Sequence, residues 1–177
     1  MNTDPHRQFM AIYEAESNAI FRFCLLRVSE KEQALDLTQE TFTRLWQTLQ
    51  AGQEMTNARA FVFTVARRLI IDWYRKKKPV SLESFTDEES GESYDPPDES
   101  GLERMMDASE GRMLIESIGK IGPSYREAVY LRFVEDLSPP EIAEILGIST
   151  NAASVRITRG LEELRKVSGF DHTHHET

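Results

Sequence analysis

Cysteine is nearly missing from this sequence: Cys24 stands by itself in the largely apolar run Phe21-Arg-Phe-Cys-Leu-Leu. A lone thiol excludes an intrachain disulfide and a cysteine-based zinc site. Its apolar neighbours mark it as a small buried hydrophobe. Also missing is any apolar run approaching the roughly 20 residues that span a bilayer, so no membrane insertion is expected. The first residues, Met-Asn-Thr-Asp-Pro-His-Arg, lack the charged and apolar regions of a secretion signal, and the expected location is cytoplasmic. His172, His174 and His175 sit in a short polar tail with no rigid shell to orient them. They define no metal site, and no cofactor and no enzymatic chemistry are expected.

What is abundant is charge, and it is unevenly placed. The chain of 177 residues has 40% hydrophobic residues, enough for packed cores, and a formal net charge of −9. Between Arg59 and Lys78 the basic residues Arg59, Arg67, Arg68, Arg75, Lys76, Lys77 and Lys78 face a single acid, Asp72. Between Pro79 and Glu110 the balance inverts, with Asp87-Glu88-Glu89 and many further acids opposed only by Arg104. The same stretch is rich in serine, glycine and proline and poor in large apolar residues. Residues 79–107 therefore read as a flexible acidic linker. Its charge has two readings, solubility alone or a role of its own.

Helical periodicity dominates on both sides of this linker. Before it, Phe9, Ile12, Tyr13, Ile20, Phe23, Cys24 and Val28 trace one apolar stripe. Leu35, Thr38, Phe42, Leu45 and Leu49 trace a second, leaving Asp36, Gln39, Glu40, Thr43 and Gln47 for the opposite side. A third helix is predicted over 57–77, with Ala58, Phe61, Val62, Val65, Leu69 and Trp73 as its stripe, and Gly52 marks the turn before it.

After the linker, helices are predicted over 109–120 and 123–135, divided by Gly122-Pro123, with Val129, Leu131 and Phe133 among the apolar residues of the second. Ser138-Pro139-Pro140-Glu141 opens a further helix with a capping box and proline in its first turn. Ile142, Ala143, Ile145 and Leu146 form its buried face, Gly147 supplies a turn, and Ser149 caps a last helix running to about residue 166. The fold class is all-α: two small helical domains, the C-terminal one containing a helix-turn-helix.

A helix-turn-helix offers the early residues of its second helix to base edges, and later cations to phosphates. Thr150, Asn151 and Ser154 occupy the early turns, followed by Arg156, Arg159, Arg165 and Lys166. Asn151 has the amide that pairs bidentately with adenine. The segment ARAFVFTVARRLIIDWYRKKK interleaves cations with Phe61, Phe63, Trp73 and Tyr74, the mixture that holds phosphates and stacks unpaired bases. Taken alone, these features point to DNA binding and admit a stand-alone helix-turn-helix regulator that binds a palindrome.

Three segments then supply a resemblance. ALDLTQETFTRLW at 34–46, ARAFVFTVARRLIIDWYR at 58–75, and Arg126-Glu127 with the helix-turn-helix at 137–149 resemble sigma-70 family RNA polymerase sigma factors. The form with two domains and no other regions is that of the extracytoplasmic-function group. The resemblance implies that residues 1–78 are sigma region 2 and residues 108–167 are region 4, with 168–177 as a tail. It implies that Asp36, Gln39, Glu40 and Phe42 grip the beta-prime clamp helices of core RNA polymerase, the beta subunit being a further contact. Arg67, Arg68, Asp72, Trp73, Arg75 and Lys76 would recognise and melt the minus-10 promoter element. Arg126, Ser149, Thr150, Asn151, Ser154, Arg156 and Arg159 would serve the minus-35 element. An anti-sigma factor is an implied partner, and the acidic linker would thread the polymerase's RNA-exit path. The sequence departs from the family where Arg68 replaces a common Asn, where Ser154 replaces a common Lys, and where Val155 replaces a small polar residue.

Overall fold

A computed structural model describes residues 4–77 and 109–168, and all regular structure among them is helical. The linker expected at 79–107 and most of the tail lie outside the described residues. The chain divides into two compact units.

The N-terminal unit contains α1 (Pro5–Val28), α2 (Lys31–Gln50) and α3 (Ala58–Lys77), each packed on the other two. Local chemistry sets the boundaries. Asp4 accepts from the His6 amide at 3.1 Å and Pro5 enters the first turn of α1. Ser29 takes a left-handed conformation, φ 59°, to end it. Gly52, φ +67°, closes the turn after α2, and Asn57 Oδ1 accepts from the Ala60 amide at 2.9 Å to open α3.

The core of this unit is aliphatic and aromatic, with Ile20, Phe23, Leu45, Val62 and Phe63 fully buried. Phe23 and Phe63 meet edge to face at 5.3 Å, locking α1 to α3, and burial of each ring is worth about 1.5–3 kcal/mol. Arg27 lies over the outer side of Phe23, 4.2 Å from its centroid, while Arg59 pairs with Glu16 at 3.1 Å across α3 and α1. Cys24 is buried as expected, and desolvation pushes its thiol up to about 12, against smaller opposing effects of Thr38 and Arg27.

Three expectations change here. Leu35 is 41% exposed, because Ala34, Leu37 and Thr41 take the core side of α2. Tyr13 is exposed, although its ring still meets Phe42 at 4.8 Å. Phe63 belongs wholly to the core, so it has no surface on which to stack a base.

The C-terminal unit contains α4 (Ser109–Gly119), α5 (Pro123–Phe133), α6 (Pro139–Leu146) and α7 (Thr150–Val167). Ile121, Val129, Leu131, Leu137 and Ile142 form its centre. All four residues predicted for the buried face of α6 are buried, whereas Phe133, at the end of α5, is 43% exposed. The Glu141 carboxylate accepts from the Ser138 amide at 2.8 Å and from its hydroxyl at 2.7 Å, fixing the start of α6. Glu135 is buried with the Tyr130 hydroxyl donating to it at 2.6 Å, which satisfies a group otherwise costly to bury.

Candidate functional site

On α2, Asp36, Gln39, Glu40 and Thr43 recur at helical spacing and all are exposed. Leu35 joins them from the neighbouring turn position, adding an apolar element that stripe counting had assigned to the core. Glu40 bonds Arg44 at 2.9 Å, an exposed pair worth little to stability, so it constrains direction more than energy. Phe42 stands apart from the other three predicted residues. It is 3% exposed, its ring packed against Phe9 and Tyr13. It supports the polar face from beneath.

On α3, Arg68, Asp72 and Arg75 fall at i, i+4 and i+7 and are exposed, with Lys76 exposed beside them. Arg67 and Trp73 are half-buried. Trp73 packs its edge on Tyr74 at 4.8 Å, and the Tyr74 hydroxyl donates to the Arg27 carbonyl, anchoring this end of α3 to α1. Lys77 lies 4.6 Å from the Trp73 ring and 3.5 Å from Glu30. Lys77 was not among the predicted residues; its place four after Trp73 was the available signal.

On α7, Ser149 accepts from the Ala152 amide at 3.1 Å, so one residue marks both the helix start and the predicted reading end. Gly147 holds the turn at φ +66°, where a Cβ would be strained. Thr150, Asn151 and Arg159 are exposed, and Ser154 and Arg156 are half-buried. The Ser154 hydroxyl donates back to the Thr150 carbonyl and the Thr158 hydroxyl to the Ser154 carbonyl, each at 3.0 Å. Arg126 lies on α5, its Nε donating to the Ile121 carbonyl at 2.7 Å and its Nη1 buried.

Gly160, which the sequence reading passed over, determines how closely α7 approaches α5. A Cβ there would lie 2.4 Å from Val129 Cγ2 and 3.0 Å from Tyr125 Cβ. Glu163, one turn on, accepts from the Gly122 amide at 2.8 Å, placing a carboxylate at the positive end of α5. Together these contacts set how α7 lies against α5. Among the described residues, no group of three or more potential metal ligands converges, and no helix is long and apolar enough to cross a membrane.

Comparison with known proteins meets this geometry at both ends of the chain. The profile of Sigma-70 region 2 matches residues 12–80 and that of Sigma-70, region 4 matches residues 111–164. The chain is 29% identical over 157 residues to the ECF RNA polymerase sigma factor SigL of Mycobacterium tuberculosis, covering 88% of this chain and 85% of that one. It is 29% identical over 165 residues to the RNA polymerase sigma factor YlaC of Bacillus subtilis, covering 92% and 89%. Among solved structures, the fold is similar to the sigma factor RpoE of Bartonella quintana in complex with the anti-sigma factor NepR. The TM-score is 0.65 at 21% identity, covering 94% of this chain and 99% of that one. CnrH, solved with the cytosolic domain of CnrY, gives 0.60 at 21%, covering 94% and 90%. The chain belongs to the sigma-70 family, in its extracytoplasmic-function group. It is a promoter-directing transcription initiation factor, and a stand-alone regulator leaves the region 2 match unexplained.

Proposed function

We propose that this sigma factor divides its work among the three faces just described. Residues 1–78 act as the polymerase-gripping and promoter-melting region, 79–107 as the acidic linker, and 108–167 as the upstream-element reader. The observation carrying the first assignment is that Asp36, Gln39 and Glu40 share a solvent-exposed face of α2 while the other side is fully packed. Such a face is rigid and contributes nothing to its own core, so it is free to bind the beta-prime clamp helices. Leu35 supplies an apolar contact at its edge.

Arg68, Asp72, Arg75 and Lys76, with Trp73, then meet the minus-10 element. Cations hold the phosphates, and stacking offsets the few kcal/mol that unpairing a base costs. Thr150, Asn151 and Arg159 approach the minus-35 element, Arg156 reaches a phosphate, and Arg126 supports the unit from α5. The net negative charge is no obstacle, since DNA is reached as part of a larger polymerase and only the DNA-facing surfaces need be cationic. Phosphate contacts dominate this affinity, so promoter occupancy falls steeply with salt. An anti-sigma protein covering the polymerase and DNA faces fits the same reading; the similarly folded RpoE was solved with the anti-sigma factor NepR.

The deciding experiment is transcription by core bacterial RNA polymerase on fragmented genomic DNA, with and without the protein, with sequencing of RNA 5′ ends. New start sites sharing two spaced upstream motifs are expected. In the Asp36→Ala, Gln39→Ala double variant they should disappear together with polymerase binding, at unchanged helical content. Retained polymerase binding, or lost helicity, would count against the α2 assignment.

A further inference from the structure

The outer face of α7 carries an apolar residue that neither folding nor solubility explains. Val155 is 38% exposed and lies nearly opposite Ala153, Gly160 and Leu164, the buried side of the helix. Its branched side chain is slightly unfavourable for a helix and gains little from burial there. It stands one turn after Asn151 and one turn before Arg159, between two exposed polar residues of the reading face. The two nearby hydroxyls, of Ser154 and Thr158, are turned back onto backbone carbonyls. The centre of the face is therefore left to an amide and an isopropyl group.

The major groove presents one apolar group to such a side chain, the C5-methyl of a pyrimidine. Four residues of helix rise about 6 Å, less than two base-pair steps of about 3.4 Å each. Resting on the sigma reading above, we propose that Val155 is a specificity-determining residue that contacts the 5-methyl of a thymine in the upstream promoter element. That thymine lies within two steps of the base pair read by Asn151. The same contact would accept 5-methylcytosine, so both sources of the methyl are tested.

The experiment uses holoenzyme and promoter duplexes taken from the start-site mapping. Deoxyuridine replaces each upstream thymine in turn, and cytosine or 5-methylcytosine replaces any sensitive one. One position is expected at which loss of the methyl weakens occupancy about fourfold, the transfer value of one buried methyl group. Val155→Ser should abolish that difference and Val155→Ile should keep it, both at wild-type helical content. Recovery with 5-methylcytosine but not cytosine would show that the methyl itself is read; recovery with neither would confine the contact to thymine. Insensitivity to deoxyuridine at every upstream position, or the same penalty in Val155→Ser, would overturn the proposal while leaving the sigma reading standing. Absence of any start site would remove the sigma reading and this inference with it.

Discussion

The N-terminal unit is assembled from helices of 24, 20 and 20 residues, whereas the C-terminal unit uses helices of 11, 11, 8 and 18. Long helices can carry an apolar stripe through several turns, and the first unit is held by that means, with Phe23 against Phe63 at its centre. Helices of two or three turns are marginal by themselves. The second unit relies instead on punctuation: the Ser138–Glu141 box, left-handed Gly147, the Ser149 cap, and the close approach at Gly160. The faces proposed to act follow suit. That of α2 is the leftover side of a packed helix, while the aim of α7 depends on a few turn and contact residues.

The largest effect is expected in the first unit. Phe63→Ala should cost about 3–5 kcal/mol, through lost burial and the cavity left behind. Both tryptophans, Trp46 and Trp73, lie in this unit, so denaturant-induced fluorescence change in the full chain reports it selectively. A midpoint unchanged from wild type would show that the aromatic core is not what holds the unit. A smaller loss is expected from Gly160→Ala in the second unit. Alanine favours a helix by about 1 kcal/mol over glycine, but here its methyl collides with Val129, which is stiff and fully buried. A net destabilisation of about 1–3 kcal/mol should follow, seen as an earlier loss of helical circular dichroism with the tryptophan transition unmoved. A stabilised variant would mean that α7 is free to slide away from α5.

The effect that is smallest at neutral pH concerns burial of the thiol in the first unit. Folding raises the Cys24 thiol from 9.0 to about 12 by desolvation, so the folded form keeps its proton where the unfolded chain ionises. The stabilisation is whole below pH 9 and lost as pH rises toward 12. Tryptophan-monitored stability of the wild type should therefore decline more over that window than that of Cys24→Ala, with no such divergence at neutral pH. Parallel pH profiles would show that the thiol is not desolvated.

Much of this was legible in the residues alone. Helix positions, the capped turn at 138–149, the buried cysteine and the polar run Asp36, Gln39, Glu40 follow from spacing and cap chemistry, which act over a few residues. So does the sigma resemblance, because its motifs are contiguous. Which side of a borderline stripe is covered was not legible. Leu35 and Ala34 both fit the period of α2, and only packing against α1 and α3 chose Ala34 for the core and left Leu35 outside. Phe63 looked as available for stacking as Trp73 until α1 placed Phe23 against it. Gly160 reads as a weak point in a helix until α5 is brought to within a methyl of it. Local spacing was enough for the helices, their caps and the family. Which residues of each face stayed exposed depended on packing, because burial is set by neighbours distant in the chain.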